Sequence, residues 1–242
     1  MDRALKLLFQ ALLAPFGLKV LSRKEADLFY LHDYQGGYPE YKKLQVYYNK
    51  KKLNRVWADE TTLDRIMDYM RESGMAPKSG ICHGARNGFE VKYLREKLGA
   101  DVIGTDISDT ATQFPHMVVW DFHDPNPDWA DKFDFVYTNS LDQAMMPDKA
   151  VSTWAAQLKP GGRIFIEHTM AHSPSDAGRM DPFGAHPLYM PYLLFKWGKG
   201  QYHLDEIIEI DAKANNARRA WVFVVARCRT GEEVSRFDPV SA

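Results

Sequence analysis

The order of apolar and polar positions divides the chain from residue 79 onward into alternating strands and helices. Short apolar runs typical of buried strands are separated by segments with helical periodicity. Alternation at this spacing predicts crossover connections and a parallel sheet. The predicted strands are 79–83, 101–105, 116–121, 133–138 and 162–167, and the predicted helices are 88–98, 109–113 and 147–158.

The end of the chain departs from this alternation. "HLDEIIEIDA" and "RRAWVFVVAR" both have strand patterns, and only "KANNA" joins them. This connection is too short for a crossover, so the two strands must pair antiparallel. The pattern therefore predicts an α/β fold with a doubly wound, mostly parallel sheet that ends in an antiparallel hairpin.

Before the first predicted strand, one helix is clear. Leu63, Ile66 and Met70 share a helical face, Gly74 ends the helix, and Asp59 or Thr61 can cap its start. Residues 23–56 are rich in Tyr, Lys and Asp and are expected to be irregular or shortly helical. The predicted organisation is an N-terminal extension (1–58), a main domain (59–230) and a tail (231–242). The main domain contains an insertion before the hairpin (169–200).

The N-terminal stretch "LKLLFQALLAPFGLKVL" is apolar but interrupted by Lys6, Pro15, Gly17 and Lys19. It lacks the roughly 20 apolar residues that a transmembrane helix needs. No small-residue cleavage site of a signal peptide follows it. We expect a helix packed on the domain or on a partner subunit, and peripheral membrane contact of residues 1–21 is the alternative.

Charge and cysteine content narrow the function classes. The 242 residues carry a formal net charge of −1, which argues against a nucleic-acid partner. Cys82 and Cys228 both fall in strand patterns, so a disulfide framework is excluded and a cytoplasmic location is expected. Asp121, Asp124 and Asp142 do not have the spacing of a metal site, and no metal is expected.

The segment "ICHGARNGFEVKYLREKLGADVIGTDIS", residues 81–108, has the outline of a nucleotide-cofactor site. Gly84 ends a strand and Gly88 opens a helix, so backbone amides there can face an anion. Asp106, followed by Ile107, ends the next strand, where a carboxylate can accept hydrogen bonds from a ribose. An ordinary turn without a ligand is the alternative.

Arg86 lies between Ala85 and Asn87, at the place of the middle glycine of a dinucleotide-binding loop. Its side chain occupies the space that a pyrophosphate needs. An adenosine cofactor without phosphates, such as S-adenosylmethionine (SAM), makes no such demand. Arg86 can pair with the carboxylate of SAM or turn outward.

Three later segments support an adenosine site. Asp121 and Phe122 end the third strand, where an acid and an aromatic ring can bind adenine. Asn139 and Ser140 end the fourth strand, and "LKPGGRIFIEH" leads through a Pro-Gly-Gly turn into the fifth. Each segment alone is also explained by a cap or a turn.

In these motifs, residues 60–228 resemble the class I SAM-dependent methyltransferases, a seven-stranded Rossmann-like family. The resemblance implies SAM as cofactor and S-adenosylhomocysteine as product. It implies cofactor contacts from the Gly84–Gly88 loop, Asp106 and Ile107, Asp121 and Phe122, and Asn139 and Ser140. The chain departs from the family pattern at Cys82, where an acid is common, at Arg86, where glycine is usual, and at Gln143, where many relatives have histidine.

The resemblance also implies that insertions determine the acceptor. The aromatic-rich insertion 169–200 is expected to form a lid or acceptor wall, with an oligomer contact as the alternative. We expect methylation of a hydroxyl on a small-molecule or glycan-like acceptor. His168 is the first candidate for the base, and Asp142 and His172 are the others.

Two other functions stay open at this stage. One is a nicotinamide-dependent oxidoreductase, which the missing glycine and the terminal hairpin disfavour. The other is a non-catalytic binding or scaffold protein with the same fold, which the departures at Cys82, Arg86 and Gln143 keep open. A homo-oligomer is compatible with either.

Overall fold

Apolar runs and helical stretches alternate in the computed structural model, which describes residues 3–18, 20–21 and 26–228. The strands are β1 (Phe29–Leu31), β2 (Ser79–His83), β3 (Asp101–Asp106), β4 (Met117–Val119), β5 (Phe133–Thr138), β6 (Leu158–Thr169), β7 (Phe183–Ala185), β8 (Tyr202–Ile210) and β9 (Ala220–Arg227). The helices are α1 (Arg3–Leu13), α2 (Gly37–Lys51), α3 (Glu60–Glu72), α4 (Phe89–Leu98), α5 (Pro147–Gln157) and α6 (Met190–Gly198).

Seven strands of this described part form one sheet in the order β4-β3-β2-β5-β6-β9-β8. The first five are parallel, while β9 pairs antiparallel with both β6 and β8. The predicted parallel sheet with a terminal antiparallel hairpin is confirmed. Strand order reverses between β2 and β5, which opens a crevice at their carboxyl ends.

Helices cover both faces of the sheet because the central strands are apolar on both sides. One core packs α5 and α6 against residues such as Ile81, Val136 and Ile164. The other packs α3 and α4 against Phe135, Phe165 and Val224. Asp59 caps α3 by accepting a hydrogen bond from the amide of Thr62 at 3.2 Å, as its position before the helix predicts.

The largest difference from the sequence reading is α2. Residues 23–56 were expected to be irregular or shortly helical, yet α2 is a helix of 15 residues. Its sequence lacks an apolar stripe, and only Tyr41 and Gln45 are buried on it. Since these two residues are one turn apart, a narrow polar-aromatic face holds the helix on the domain.

Two smaller expectations were wrong. The Pro160–Gly162 segment was predicted to be a turn before the fifth strand, but β6 already begins at Leu158. Leu158 pairs with Phe133 and Arg163 with Phe135, so the glycines form a bulge inside the strand. Cys228 was expected in a buried strand, but it follows β9 and is half-buried.

The 169–200 insertion is largely folded. It contains a 3₁₀ turn at Met170–His172, then β7 and α6. Phe183, Met190 and Leu194 from this segment are buried in the core that contains α5. β7 also pairs antiparallel with β1, which ties the N-terminal extension to the insertion.

Candidate active site

The Gly84–Gly88 loop follows β2 at the crevice, and its backbone is unusual at three positions. Gly84, Arg86 and Gly88 have φ angles of 70°, 44° and 72°. A Cβ at Gly84 would lie 2.6 Å from the Cβ of Ser140, so only glycine fits there. The side chains of Arg86 and Asn87 donate to the carbonyls of Arg55 and Leu53, each at 3.0 Å.

Asp106 ends β3 and faces this loop. Its two carboxylate oxygens accept hydrogen bonds from the amides of Ser108 at 2.9 Å and Arg86 at 3.0 Å. Burial raises the pKa of Asp106, while these amides and the side chain of Asn49 oppose the rise. Each carboxylate oxygen keeps capacity for a further donor, so Asp106 can still accept a ribose hydroxyl.

Asp121 and Phe122 lie just beyond β4, both 9% exposed. Asp121 accepts from the amide of His123 at 3.1 Å and from its ring nitrogen at 2.8 Å. Its other oxygen accepts a hydrogen bond from the hydroxyl of Tyr38 on α2. Helix α2 therefore closes over the position at which the sequence predicts adenine.

A cleft of about 330 Å³ joins these residues. Its lining contains five of the predicted cofactor residues from three strand ends, together with one face of α2. These residues are Gly84, Asp106, Ile107, Asp121 and Phe122 from the sheet edge, Tyr41, Gln45 and Asn49 from α2, and Gln143. Two carboxylates, an aromatic ring and a glycine-containing loop thus share one cavity, and groups of this chemistry can hold a ribose and an adenine.

A second, narrower space continues from Gly84 past Arg86 to Asn139. The side chain of Glu90 lines it and is 5% exposed. Burial raises the pKa of Glu90 to about 7, against the opposing charge of Arg86. Burial raises the pKa of Cys82, and the negative charge of Glu90 raises it further. The Glu90 carboxylate therefore lies close to Cys82, the position at which the family pattern has an acid.

Ser140 and Asn139 close the crevice on the β5 side. The Ser140 hydroxyl donates to the carbonyl of Gly84 at 3.2 Å and to the side-chain oxygen of Asn139 at 3.0 Å. Asn139 lines both the narrow space and the large cavity beyond it. These contacts put the two predicted residues between the cofactor cleft and the larger cavity.

The larger cavity encloses about 1150 Å³ of open space. Its walls come from the segment 52–57, the turn 139–143 that follows β5, residues 171–181 of the insertion, and Arg218 between β8 and β9. It is rich in charge: Lys52, Arg55, Arg86 and Arg218 face Asp142, Asp176 and Asp181. The insertion thus supplies a wall of this cavity.

Asp142 is the buried carboxylate of this cavity, 9% exposed. Burial raises its pKa from 3.8 to about 7, with Lys52 opposing. Its Oδ1 has no hydrogen-bond partner within the described chain, while Oδ2 lies 3.8 Å from Nε2 of His172. A carboxylate with a free buried oxygen and a pKa near neutrality can accept a proton from a bound ligand.

His172 is neutral, because burial and the charge of Lys213 lower its pKa to about 3. Its Nδ1 accepts from the amide of Thr169 at 3.3 Å, so Nε2 carries the proton and points toward Asp142. His172 can orient Asp142, but neither ring nitrogen is free to take a proton.

His168 lies elsewhere. Its Nε2 donates to the carbonyl of Ala185 at 2.9 Å, and its side chain is not part of the cavity lining. Burial lowers its pKa to about 3. The structure therefore brings Asp142 and His172 together and leaves His168 as a tie between β6 and β7.

Several site residues have no signal in the sequence. Trp57 lines the large cavity, and its indole nitrogen is buried without a partner in the described chain. Its ring lies 5.2 Å from that of His172. Asp181, whose pKa burial raises to about 7, and the α2 residues Tyr38, Tyr41 and Asn49 were equally unforeseen. They come from segments without strand or helix periodicity, so no spacing indicated a site.

A buried ionic network holds Trp57 in place. The Lys213 ammonium contacts Glu167, the carboxylate of Asp59 at 3.1 Å and the carbonyl of Trp57 at 2.7 Å. Glu167 accepts from the hydroxyl of Tyr137 at 2.7 Å. The network ties the hairpin connection, the start of α3 and the centre of the sheet to one cavity wall.

Comparison with known proteins agrees with this geometry. Residues 81–166 match the family model described as a methyltransferase domain. The chain has the fold of the class I SAM-dependent methyltransferases. Among curated proteins, no sequence matches it significantly.

Solved methyltransferases share this fold at low identity. One is 1,6-didemethyltoxoflavin-N1-methyltransferase from Burkholderia thailandensis, with S-adenosylhomocysteine bound (TM-score 0.61, 14% identity, 82% of this chain and 94% of that one). Another is the N-methyltransferase NodS from Bradyrhizobium japonicum (TM-score 0.55, 14% identity, 76% of this chain and 98% of that one). A third is magnesium protoporphyrin IX methyltransferase from Synechocystis, with SAM bound (TM-score 0.54, 14% identity, 78% of this chain and 97% of that one).

Among helices in the described ranges, none is long and apolar enough to cross a bilayer. In the same ranges, no group of three or more His, Cys, Asp or Glu side chains is arranged to hold a metal ion.

Proposed function

We propose that the protein binds SAM and transfers its methyl group to a hydroxyl of a small-molecule or glycan-like acceptor in the cytoplasm. The cleft lined by Gly84, Asp106, Ile107, Asp121 and Phe122 supports the cofactor assignment. When bound, SAM supplies an activated methyl group on a sulfonium. The chain's own residues then have to align the acceptor and take its proton.

The methionine end of the cofactor belongs in the narrow space between the cleft and the large cavity. Glu90 there is a carboxylate that can face the cofactor's ammonium group, in place of the acid missing at Cys82. Arg86 offers a guanidinium whose Nε is buried without a partner in the described residues, and it can face the cofactor's carboxylate. Asn139 and Ser140 complete the set of proposed contacts.

The observation that carries oxygen methylation is Asp142. A hydroxyl must lose its proton as the new carbon–oxygen bond forms, and Oδ1 of Asp142 is a buried acceptor open to the cavity. Of the three base candidates, we therefore propose Asp142, with His172 as its positioning residue. His168 remains a candidate from the sequence alone.

Methyl transfer from isotopically labelled SAM to a panel of hydroxyl-bearing small molecules and sugars tests this function. Mass spectrometry reports S-adenosylhomocysteine and the position of the labelled methyl. With a substrate found in this way, D142N should lower kcat by about 10²–10⁴, the usual effect of removing a general base. His168→Ala should leave the shape of the pH–rate profile unchanged. A label on nitrogen or carbon, or a loss of turnover in His168→Ala alone, would contradict the assignment.

A non-catalytic protein that only binds SAM is the second candidate, because the loop departs from the family at Cys82, Arg86 and Gln143. That protein would bind SAM and S-adenosylhomocysteine equally well before and after the D142N substitution, and it would release no labelled product. Comparing binding with product formation separates the two functions.

A further inference from the structure

The apolar face of α1 is not packed on the domain. Of the apolar side chains between residues 5 and 21, eight are 44% to 76% exposed, and the largest fractions belong to Leu7, Leu12 and Phe16. The apolar sequence of this stretch predicted a helix packed on the domain or on a partner subunit. The first of these is wrong, since large apolar side chains here face outward and leave this surface to be covered by something else.

Helical periodicity gives α1 an amphipathic arrangement. Leu5, Leu8, Phe9 and Leu12 recur at the spacing of one helical face. In the sequence, Arg3, Lys6 and Gln10 follow one another at intervals of three and four residues, the spacing of a second, polar helical side. Residues 1–24 contain five lysine or arginine residues and one aspartate, although the whole chain has a net charge of −1. Basic charge beside a broad apolar face is typical of helices that lie in the interface of an anionic membrane.

A second apolar surface lies on the domain itself. We define the apolar patch as Leu28, Phe29, Leu31, Leu188, Tyr192 and Phe195, which are 38% to 84% exposed. β1 and β7 bring its two halves together, and the amide of His186 donates to the carbonyl of Leu28 at 2.9 Å. Lys196 and Lys199, at the end of α6, place further basic residues beside the patch.

The apolar patch is close in the chain to a wall of the larger cavity beside Asp142. Met180 and Asp181 line that cavity, and the chain enters β7 two residues later. The buried ring of Phe183 contacts Phe29 of β1 and the half-buried Trp197 of α6, at ring-centroid distances of 5.8 and 5.9 Å. A surface that held the patch would also lie near the segment that forms this wall of the larger cavity.

We propose that α1 and the apolar patch together bind the surface of a lipid bilayer that contains anionic lipid. The apolar side chains enter the interface, and the basic side chains of the N-terminal segment and α6 contact the headgroups. In the sequence, Glu25 and Asp27 lie between α1 and the patch, and Asp33 follows Leu31, so the proposed attraction is local to the basic residues and not a property of the net charge. This inference does not depend on the reaction that the protein catalyses.

Sedimentation of the full-length chain with vesicles tests the proposal. Vesicles of phosphatidylcholine alone are compared with vesicles that also contain phosphatidylglycerol, at low and high salt. We expect binding to the anionic vesicles that weakens with salt, because the basic side chains contribute part of the affinity. Equal binding to both vesicles, or binding that salt does not change, would overturn the role of anionic lipid.

Three variants with the same charge change locate the binding surface. Leu8→Asp removes an apolar residue of α1, Leu188→Asp removes one from the apolar patch, and Gln113→Asp alters an exposed polar position outside both. Leu8→Asp should weaken vesicle binding roughly tenfold to a hundredfold, the range that burial of one leucine contributes. Leu188→Asp should also weaken it, and Gln113→Asp should have little effect.

Circular dichroism and thermal unfolding establish that each variant is folded. Light scattering of the vesicle-free protein tests the competing occupant, a second copy of the chain. A dimer that Leu8→Asp dissociates, with no vesicle binding by the original chain, would overturn the membrane proposal. Equal vesicle binding by Leu8→Asp and Gln113→Asp would overturn it as well.

Discussion

Arg86 occupies a backbone conformation in which glycine is the usual residue. Its φ of 44° is left-handed, and a non-glycine residue there costs on the order of 1 kcal/mol. Two hydrogen bonds accompany this conformation and can offset the strain, from the Arg86 amide to Asp106 and from its guanidinium to the carbonyl of Arg55. The departure from the family loop therefore keeps the loop's shape and adds a cation to the site.

Glu90 supports the view that the missing acid at position 82 is replaced from the next helix. We expect Glu90→Gln to weaken the binding of both SAM and S-adenosylhomocysteine, which carry the same ammonium group, more than Asn87→Gln does, a neutral change in the preceding loop. Removing a charged partner of an ammonium group costs roughly tenfold or more in affinity. Calorimetric titration measures both affinities, and an unchanged affinity in Glu90→Gln would remove Glu90 from the site.

Asp142 should make the stability of the protein depend on pH. Its pKa is 3.8 in an ordinary setting and about 7 in the fold. A carboxyl with a raised folded pKa contributes stability that is fully present below pH 4 and is lost as pH rises through 7. Asn resembles the protonated acid at all pH values, so D142N should be more stable than the original chain above pH 7.

Urea unfolding between pH 4 and 8 measures this effect. The advantage of D142N should grow with pH to on the order of 4 kcal/mol, since the pKa rises by about three units and each unit corresponds to about 1.4 kcal/mol. Asp211→Asn, at an exposed carboxylate, serves as the matched control and should show little change. A difference between D142N and the original chain that is constant over this pH range would contradict a raised pKa.

At the scale of elements, α2 is the part of the site that the sequence could not predict. Strand ends and the glycine loop follow from periodicity, because parallel strands deliver residues such as Asp106 and Ser140 to one edge. Helix α2 carries no apolar stripe, and its buried face consists of Tyr41 and Gln45. From α2, Tyr38 contacts Asp121 and Asn49 contacts Thr110. Both contacts depend on tertiary packing that no local sequence pattern encodes.

Helix α2 closes the cofactor cleft, so it should respond to ligand. A cofactor that contacts Tyr41, Gln45 and Asn49 adds interactions to a helix whose own buried surface is small. We expect amide hydrogen exchange in 41–49 to slow when S-adenosylhomocysteine is added. Amides of α5, buried in the core, serve as the internal control. Exchange in α2 that is the same with and without ligand would show that the helix does not cover the binding site.

The Lys213 network should be essential for stability. Lys213 is 1% exposed, and Glu167 and Asp59, its partners, are 1% and 3% exposed. Removing one member of a buried ionic network leaves the others uncompensated and typically costs about 3–5 kcal/mol. Lys213→Met should therefore lower the free energy of unfolding by about this amount, measured with urea.

Lys92→Met is the matched control, because the side chain of Lys92 is 77% exposed and forms only a surface ion pair with Glu96. It should change the free energy of unfolding by less than about 1 kcal/mol. Similar effects of the two substitutions would mean that the buried network contributes nothing beyond ordinary surface pairing.

At the scale of the molecule, the sheet and the crevice at its strand ends were predictable, and the larger cavity was not. Strand periodicity and the short connection before β9 are local signals, and both were confirmed. The larger cavity is assembled from residues that are far apart in the chain and share no motif, among them Trp57, Asp142, Asp181 and Arg218. His168, at a strand end, looked suited to catalysis, but pairing of β7 places the carbonyl of Ala185 against its ring.

The molecule as a whole is proposed to be a SAM-binding enzyme, and calorimetric titration of the purified chain tests that claim most directly. The original chain should bind SAM and S-adenosylhomocysteine at one site and should not bind NAD. Asp106→Ala should weaken both adenosyl ligands by on the order of 2–4 kcal/mol, because it removes charge-assisted hydrogen bonds to the ribose. No binding of either ligand by the folded chain, or an unchanged affinity in a folded Asp106→Ala variant, would contradict the account.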